Sequence, residues 1–350
     1  MQAYVNDTIV MKKTDAIIIG AGPVGLFTVF EAGLLKLKCH LIDSLPEPGG
    51  QCAEIYPKKP IYDIPGYPSV LASDLVDNLM EQIKPFKPGF TLGETAQTIE
   101  KDSDENFIVT TLQGTKHKAP VVAIAGGLGV FTPRKPPLEN LPKFENKNIF
   151  YIVKDPSLFK NKDLVISGGG DSALDWALYF AENYAKSVTL IHRSEQFRAH
   201  NDSVQKALNF AEEGKIKMYL NAEVSSLEGE TKLSGLNIKF KKSKQEDILI
   251  PCDSWLPLFG LTPKLGPIAN WGLEIEKNAI KVNNATDYST NIPGIYAIGD
   301  VNTYNGKLKL ILCGFHEGTI MVQSAFKRIY PEKNNILKYT TVTGISGFGE

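Results

Sequence analysis

The chain has 350 residues, 43% hydrophobic and 22% charged, with a formal net charge of −1. That length accommodates two ordinary domains, and the composition is that of a core-forming protein rather than a disordered one. The charge balance lacks the basic excess of a nucleic-acid binder, and the longest apolar stretches, 16–19 and 121–125, are far too short to span a bilayer as a helix.

At the start, MQAYVNDTIVMKKTD puts its lysines after a weakly apolar run. That is the wrong order for a secretory signal, so a cytoplasmic protein is expected. The first organised segment spans 15–43 and reads DAIIIGAGPVGLFTVFEAGLLKLKCHLID. An apolar strand runs into a glycine turn, then a helix with apolar residues at helical spacing, then a second apolar strand, which is a βαβ unit. In the turn, Gly20 permits the tight bend, Gly22 lets a pyrophosphate approach the backbone, and Gly25 lets helix and strand pack closely. The helix N-terminus then offers unpaired N–H groups and the positive end of its dipole to phosphates. Asp43 closes the second strand, where a carboxylate can accept hydrogen bonds from ribose hydroxyls. Together these mark an adenine-dinucleotide site.

A Pro/Gly-rich stretch at 126–137 then reads as a crossing between domains. The βαβ pattern recurs at 163–193 as DLVISGGGDSALDWALYFAENYAKSVTLIHR. Here the turn is Gly168, Gly170 and Ala173, with Asp171 and Ser172 opening the helix. The end of its second strand carries the opposite charge, His192 and Arg193 with Arg198 beyond. A carboxylate there would repel a 2′-phosphate, whereas a guanidinium binds one through charge-assisted hydrogen bonds. The two sites therefore read as FAD first and NADPH second. A second Pro/Gly-rich crossing follows at 258–267. The expected fold class is α/β, with two Rossmann-like FAD/NAD(P)-binding domains, the second inserted into the first. Residues 1–130 and 259–350 would form the FAD domain and 131–258 the NADPH domain.

Near the end, TNIPGIYAIGD is an apolar strand that closes on Gly299 and Asp300 and sets a carboxylate beside a close backbone approach. The four cysteines, Cys39, Cys52, Cys252 and Cys313, form no CxxC pair. They read as reduced, semi-buried thiols and give neither a disulfide framework nor a metal site.

The closing string, together with two dinucleotide folds, resembles the FAD signature of the two-dinucleotide flavoprotein reductases. The stretches Gly49–Gly50–Gln51, Pro65–Gly66–Tyr67–Pro68 and 191–200 are similar to the thioredoxin reductase lineage. The redox disulfide of the glutathione-reductase type is missing, because Pro57 stands where a second cysteine would follow Cys52, and so is the CxxC that thioredoxin reductases keep in the NADPH domain. The combination, with the tail after Tyr330, resembles the ferredoxin–NADP reductases of the thioredoxin-reductase type. That resemblance implies FAD held by Asp43, Gln51, Tyr56, Ala96, Phe131, Asp300 and Thr341, with Val24 in the pyrophosphate turn. Tyr56 and Tyr339 would cover the two faces of the isoalloxazine. It also implies a homodimer, a C-terminal tail reaching a flavin, and ferredoxin or flavodoxin as the one-electron partner. Since the flavin carries the chemistry, no general acid or base is expected. Ser194 departs from the family's second phosphate-site arginine and weakens the expected preference for NADPH over NADH. A basic rim of Arg134, Lys135, Lys307 and Lys309 would steer an acidic partner. Two other readings use the same residues: a disulfide-free NAD(P)H:acceptor reductase working on flavodoxin, quinone or oxygen, and a redox-sensing flavoprotein.

Overall fold

A computed structural model describes residues 11–129, 132–241, 246–262, 264–333 and 340–345. The chain divides into two compact units, one from 1–130 and 263–350 and the other from 131–262.

The first unit is built on five parallel strands in the order Ile295–Ala297, Val121–Ile124, Ala16–Ile19, Cys39–Asp43, Gly89–Leu92. Ala16–Ile19 and Val121–Ile124 are apolar at every position and buried at every position. That is what a parallel sheet covered on both faces requires. On one face Ile18, Leu41, Val121 and Ala123 pack against the helices Pro23–Leu34, Ala72–Ile83 and Ile311–Ile329. The alternate residues Ile17, Ile19, Ile42, Val122 and Ile124 face the other way, against Phe107, Val109 and Ala119. Those three belong to a four-stranded sheet that also contains Lys12–Lys13 and Ala96–Lys101. Ala72–Ile83 shows the helical counterpart of this alternation: Leu75, Val76, Leu79 and Ile83 are buried while Asp77, Asn78 and Glu81 are exposed.

The last long helix lies unusually close to the first. A Cβ added at Gly314 would sit 2.4 Å from Val24 Cγ2, and one at Gly318 would sit 2.6 Å from Thr28 Oγ1. Side chains at those two places would push the helices apart, so the Gly-x-x-x-Gly spacing sets how deep Ile311–Ile329 seats.

The second unit repeats the plan. Four parallel strands run in the order Lys217–Leu220, Ser187–His192, Asp163–Ser167, Ser254–Pro257. Leu164, Ile166 and Leu190 pack against the helix Asp171–Asn183, which buries Ala173, Leu174, Ala177 and Phe180. Val165, Ile191 and the fully buried Trp255 pack against an antiparallel sheet formed by Ala222–Glu228, Gly235–Phe240 and Ile248–Pro251. Trp255 Nε1–H donates to Ser167 Oγ at 2.9 Å, which satisfies the one polar atom of the indole. Each unit is thus a parallel Rossmann-type sheet with helices on one face and an antiparallel sheet on the other. Among the described residues no helix is long and apolar enough to cross a membrane.

Candidate functional site

In the first unit the strand Ala16–Ile19 ends in a turn held from several sides. Gly20 N–H donates to Ile42 O at 2.8 Å, and Gly20 adopts φ 110, with Ala125 O only 2.4 Å from where a Cβ would be. No L side chain fits there. A Cβ on Gly25 would meet Gly20 O at 2.1 Å, so helix and turn touch backbone to backbone. Gly22 is different. It is the N-cap of Pro23–Leu34 with no side-chain cap, and a Cβ there would meet only Gly50 Cα at 3.8 Å. The turn therefore leaves its helix N–H groups to be satisfied from outside, beside a cradle that a side chain would fill.

Asp43 is engaged with the chain itself. Its Oδ2 accepts the Ala21 N–H at 2.6 Å and its Oδ1 accepts the Leu45 N–H at 2.9 Å. Burial pushes its carboxyl up and these backbone N–H groups pull it back. A carboxylate has about four lone-pair sites, so holding the turn leaves capacity for ribose hydroxyls. Ala21 O accepts from Gly49 N–H at 2.8 Å, which brings Gly49 and Gly50 against the turn. Gln51 opens the next short helix, Gln51–Glu54, and its side chain hydrogen-bonds Asp300. Asp300 follows Gly299, which has φ 75 and lies against Val24. Burial raises the Asp300 carboxyl, and Lys309 and Lys307 oppose it. Tyr56 is within electrostatic reach of Asp300, and its hydroxyl accepts from the Cys52 thiol at 3.7 Å. Burial pushes that thiol up, so Cys52 stays protonated and packed at 1% exposure.

The fold thus gathers Gly20, Gly22, Gly25, Asp43, Gln51, Tyr56 and Asp300 from distant parts of the sequence. Ala96 is buried in its strand, and nearby Glu94 N–H donates to Asp43 O at 3.0 Å. The Val24 side chain packs between Gly299 and Gly314 and so couples the turn to the last helix. Thr341 is exposed in the short helix Thr340–Thr343. Phe131 and Tyr339 lie outside the described residues. The residue that the sequence reading missed is Glu317, fully buried, which accepts the Gly299 N–H at 2.6 Å. A lone acid inside the apolar run ILCGFHEGTIMVQSAF was the available signal.

The second turn, in the other unit, has the same logic. Gly168 N–H donates to Ile191 O at 3.1 Å, and a Cβ on Gly168 would lie 2.6 Å from Leu258 O. Ala173 replaces the third glycine and lies directly against Gly168. Gly170 caps Asp171–Asn183 with no side-chain cap, and a Cβ there would meet nothing within 4 Å. Asp171 Oδ1 accepts the His200 N–H at 2.8 Å, and Arg198 N–H donates to Gly169 O at 2.7 Å, so the 193–200 loop is pinned over the turn. His192 is a support: its ring is buried under Gly169, stacks on Phe197 at 4.9 Å, and donates from Nε2 to Gln196 O at 3.1 Å. Burial pushes its imidazole down, helped by Arg193 and Arg198. Both arginines are exposed, beside the open face of the turn, and Ser172 is exposed in the helix's first turn. Ser194 Oγ accepts the Gln196 N–H at 3.2 Å.

The expected basic rim changes at one member. Lys307 is only 6% exposed at its side chain and ion-pairs with Glu317, so it faces inward, while Lys309 is exposed. Lys135 pairs with Glu145 at 2.7 Å.

Two glycine turns with open helix N-termini and opposite charge at the strand ends fit an adenine dinucleotide and a phosphorylated one. The chain belongs to the pyridine nucleotide-disulphide oxidoreductase family, which matches residues 14–320. Within it the chain groups with the ferredoxin–NADP reductases. It is 65% identical over 338 residues to ferredoxin–NADP reductase 1 of Christiangramia forsetii, covering 97% of this chain and 96% of that one. It is 64% identical over 339 residues to the ferredoxin–NADP reductase of Flavobacterium psychrophilum, covering 97% and 95%. Among solved structures it is similar to Lactococcus lactis thioredoxin reductase, with TM-score 0.75, 25% identity, and coverage of 91% of this chain and 99% of that one.

Proposed function

We propose that the chain is an FAD-dependent ferredoxin–NADP reductase that moves electrons between NADPH and ferredoxin. What carries the reading is the charge reversal at the strand ends, Asp43 in one unit and Arg193 in the other, in a chain whose four cysteines are all free. With no dithiol among them, the chain offers no thiol relay, and a bound flavin would have to pass electrons to the acceptor itself.

When bound, FAD supplies the conversion of a two-electron hydride into single electrons, which no side chain can perform. The protein binds and orients. The turn at Gly20, Gly22 and Gly25 holds the FAD pyrophosphate on the helix N-terminus, and Asp43 fixes the turn while offering oxygens to the ribose. Asp300 and Gln51 bind toward the flavin end, with Tyr56 beside them. In the other unit, Gly168, Gly170, Asp171, Ser172 and Ala173 form the NADPH turn. There Arg193 and Arg198 pair with the 2′-phosphate, His192 supports the turn from beneath, and no side chain needs to carry a proton. The proposal extends to a homodimer in the cytoplasm with ferredoxin as physiological partner, and to Phe131, Tyr339 and Thr341 as further FAD contacts.

The experiment is an anaerobic mixing of the yellow holoprotein with NADPH or NADH, followed by cytochrome c reduction with and without ferredoxin. Fast bleaching by NADPH and cytochrome reduction that requires ferredoxin are expected. Bleaching without ferredoxin dependence would retain both nucleotide sites and reassign the acceptor.

A further inference from the structure

The buried acid of the last helix is placed where it controls the turn that carries Asp300. Glu317 is fully buried and Lys307 nearly so. Its two oxygens are occupied by four donors from one short segment. Oε2 accepts the Gly299 N–H at 2.6 Å and Asn302 Nδ2 at 2.8 Å, and Oε1 accepts the Tyr304 hydroxyl at 2.8 Å and the Lys307 ammonium. Asn302 Nδ2 also reaches Ala297 O at 2.9 Å, which ties the turn to the end of its strand. The Lys307 ammonium lies 5.3 Å from the centre of the Tyr304 ring.

An ion pair this dry is poor evidence for stability, because removing two charges from water costs about as much as their attraction returns. A well-packed apolar pair would hold the helix as firmly. What an apolar pair could not do is accept the N–H of Gly299, which adopts φ 75 immediately before Asp300, the hydrogen-bond partner of Gln51. With Lys307 in place, its charge acts on Asp300, and Glu317 is the carboxylate paired with it. The seat of the helix, set by Gly314 and Gly318 against Val24 and Thr28, delivers Glu317 to this spot.

We propose that Glu317, paired with Lys307, is a positioning residue for the bound flavin: it locks the Gly299–Asp300 turn and neutralises the ammonium beneath it. The inference rests on the reading of Asp300 as a flavin contact. Glu317 acts only through the turn and the charge balance around it.

Glu317→Gln keeps the shape but turns an NH2 either toward the Lys307 ammonium or toward the Gly299 N–H, neither of which can accept a hydrogen bond. The measurement is made on purified holoprotein: the rate at which free-flavin fluorescence appears on dilution, and the midpoint potential from a dye-coupled anaerobic titration. In Glu317→Gln we expect FAD loss about tenfold faster or more, and a midpoint potential shifted positive by the uncompensated Lys307 cation. The double variant Glu317→Gln/Lys307→Met should return the potential toward wild type, a rescue that a purely structural role would not give. Tyr304→Phe removes one donor at little risk to folding and should speed FAD loss a few-fold. Folded Glu317→Gln with unchanged FAD release and unchanged potential would overturn the proposal. If Glu317→Gln does not fold, a Tyr304→Phe variant identical to wild type in both readouts would overturn it too. A wild-type protein that binds no FAD would instead defeat the underlying functional reading.

Discussion

Gly50 presses on Gly22 with almost nothing between them: a Cβ on Gly50 would lie 3.0 Å from Gly22 Cα, and Gly50 adopts φ 54. The converse is not true, since a Cβ on Gly22 would meet Gly50 Cα at an ordinary 3.8 Å. The same pair of glycines therefore separates a folding requirement from a binding one. Gly22→Ala is expected to fold with a melting temperature within a few degrees of wild type, because its backbone (φ −74) suits any residue. It is expected to purify poor in flavin, with FAD affinity reduced about tenfold or more, since the methyl occupies the space the pyrophosphate needs. Absorbance of the purified protein and calorimetry check both halves. A Gly22→Ala protein with full flavin content would move the pyrophosphate away from this turn.

Discrimination between NADPH and NADH should be concentrated at Arg193. Its guanidinium is exposed and bears on the buried His192. Arg193→Ala should raise the NADPH Michaelis constant about tenfold, or ~1.4 kcal/mol, and leave NADH nearly unchanged. Ser194→Arg, which gives up only the bond to the Gln196 N–H, should strengthen the preference. The ratio of kcat/KM for the two nucleotides is the readout. An unaltered ratio in Arg193→Ala would place 2′-phosphate recognition elsewhere.

Acid stability should depend on a histidine pair in the first unit, one ring buried and the other half-buried. The His40 and His117 rings lie 4.5 Å apart, His117 is fully buried, and neither of its ring nitrogens has a hydrogen-bond partner among the described residues. Burial pushes both imidazoles down to about 4, with Lys12 opposing their protonation and Glu94 favouring that of His117. The folded state therefore takes up protons less readily than the unfolded chain, whose imidazoles titrate near 6.5. Stability is full above that value and declines as pH falls from it toward 4, by ~1–3 kcal/mol at pH 5. His117→Leu, which removes an unpartnered polar group, should be at least as stable at pH 7 and show about half that slope. Urea midpoints at pH 7, 6 and 5 test this; parallel pH dependence in the two proteins would exclude His117 as its source.

Much of the fold could be read from local pattern. Strands such as Ala16–Ile19 and Val121–Ile124 are apolar throughout because both their faces are covered, and each glycine turn sits between a strand and a helix in adjacent sequence. The charge at the strand ends, Asp43 against Arg193, was equally visible, because nucleotide preference is decided within one βαβ unit. Other features depended on residues remote in sequence. Asp43 accepts the Ala21 N–H from across the turn, and the His192 ring lies against Gly169. Neither direction follows from spacing.

Lys307 gives the clearest division. In sequence it is one more lysine in a polar stretch near the flavin motif, and a solvated, partner-facing cation is the natural reading. In the fold it is inward and paired, because Gly314 and Gly318 let the last helix seat deeply enough to bring Glu317 against the Gly299 turn. The sequence by itself determined two dinucleotide turns, their order and their opposite charges, since each is written within a few dozen contiguous residues. Only the tertiary structure decided which charges face the solvent and which are buried to hold a turn, since that depends on how closely two helices far apart in sequence can approach.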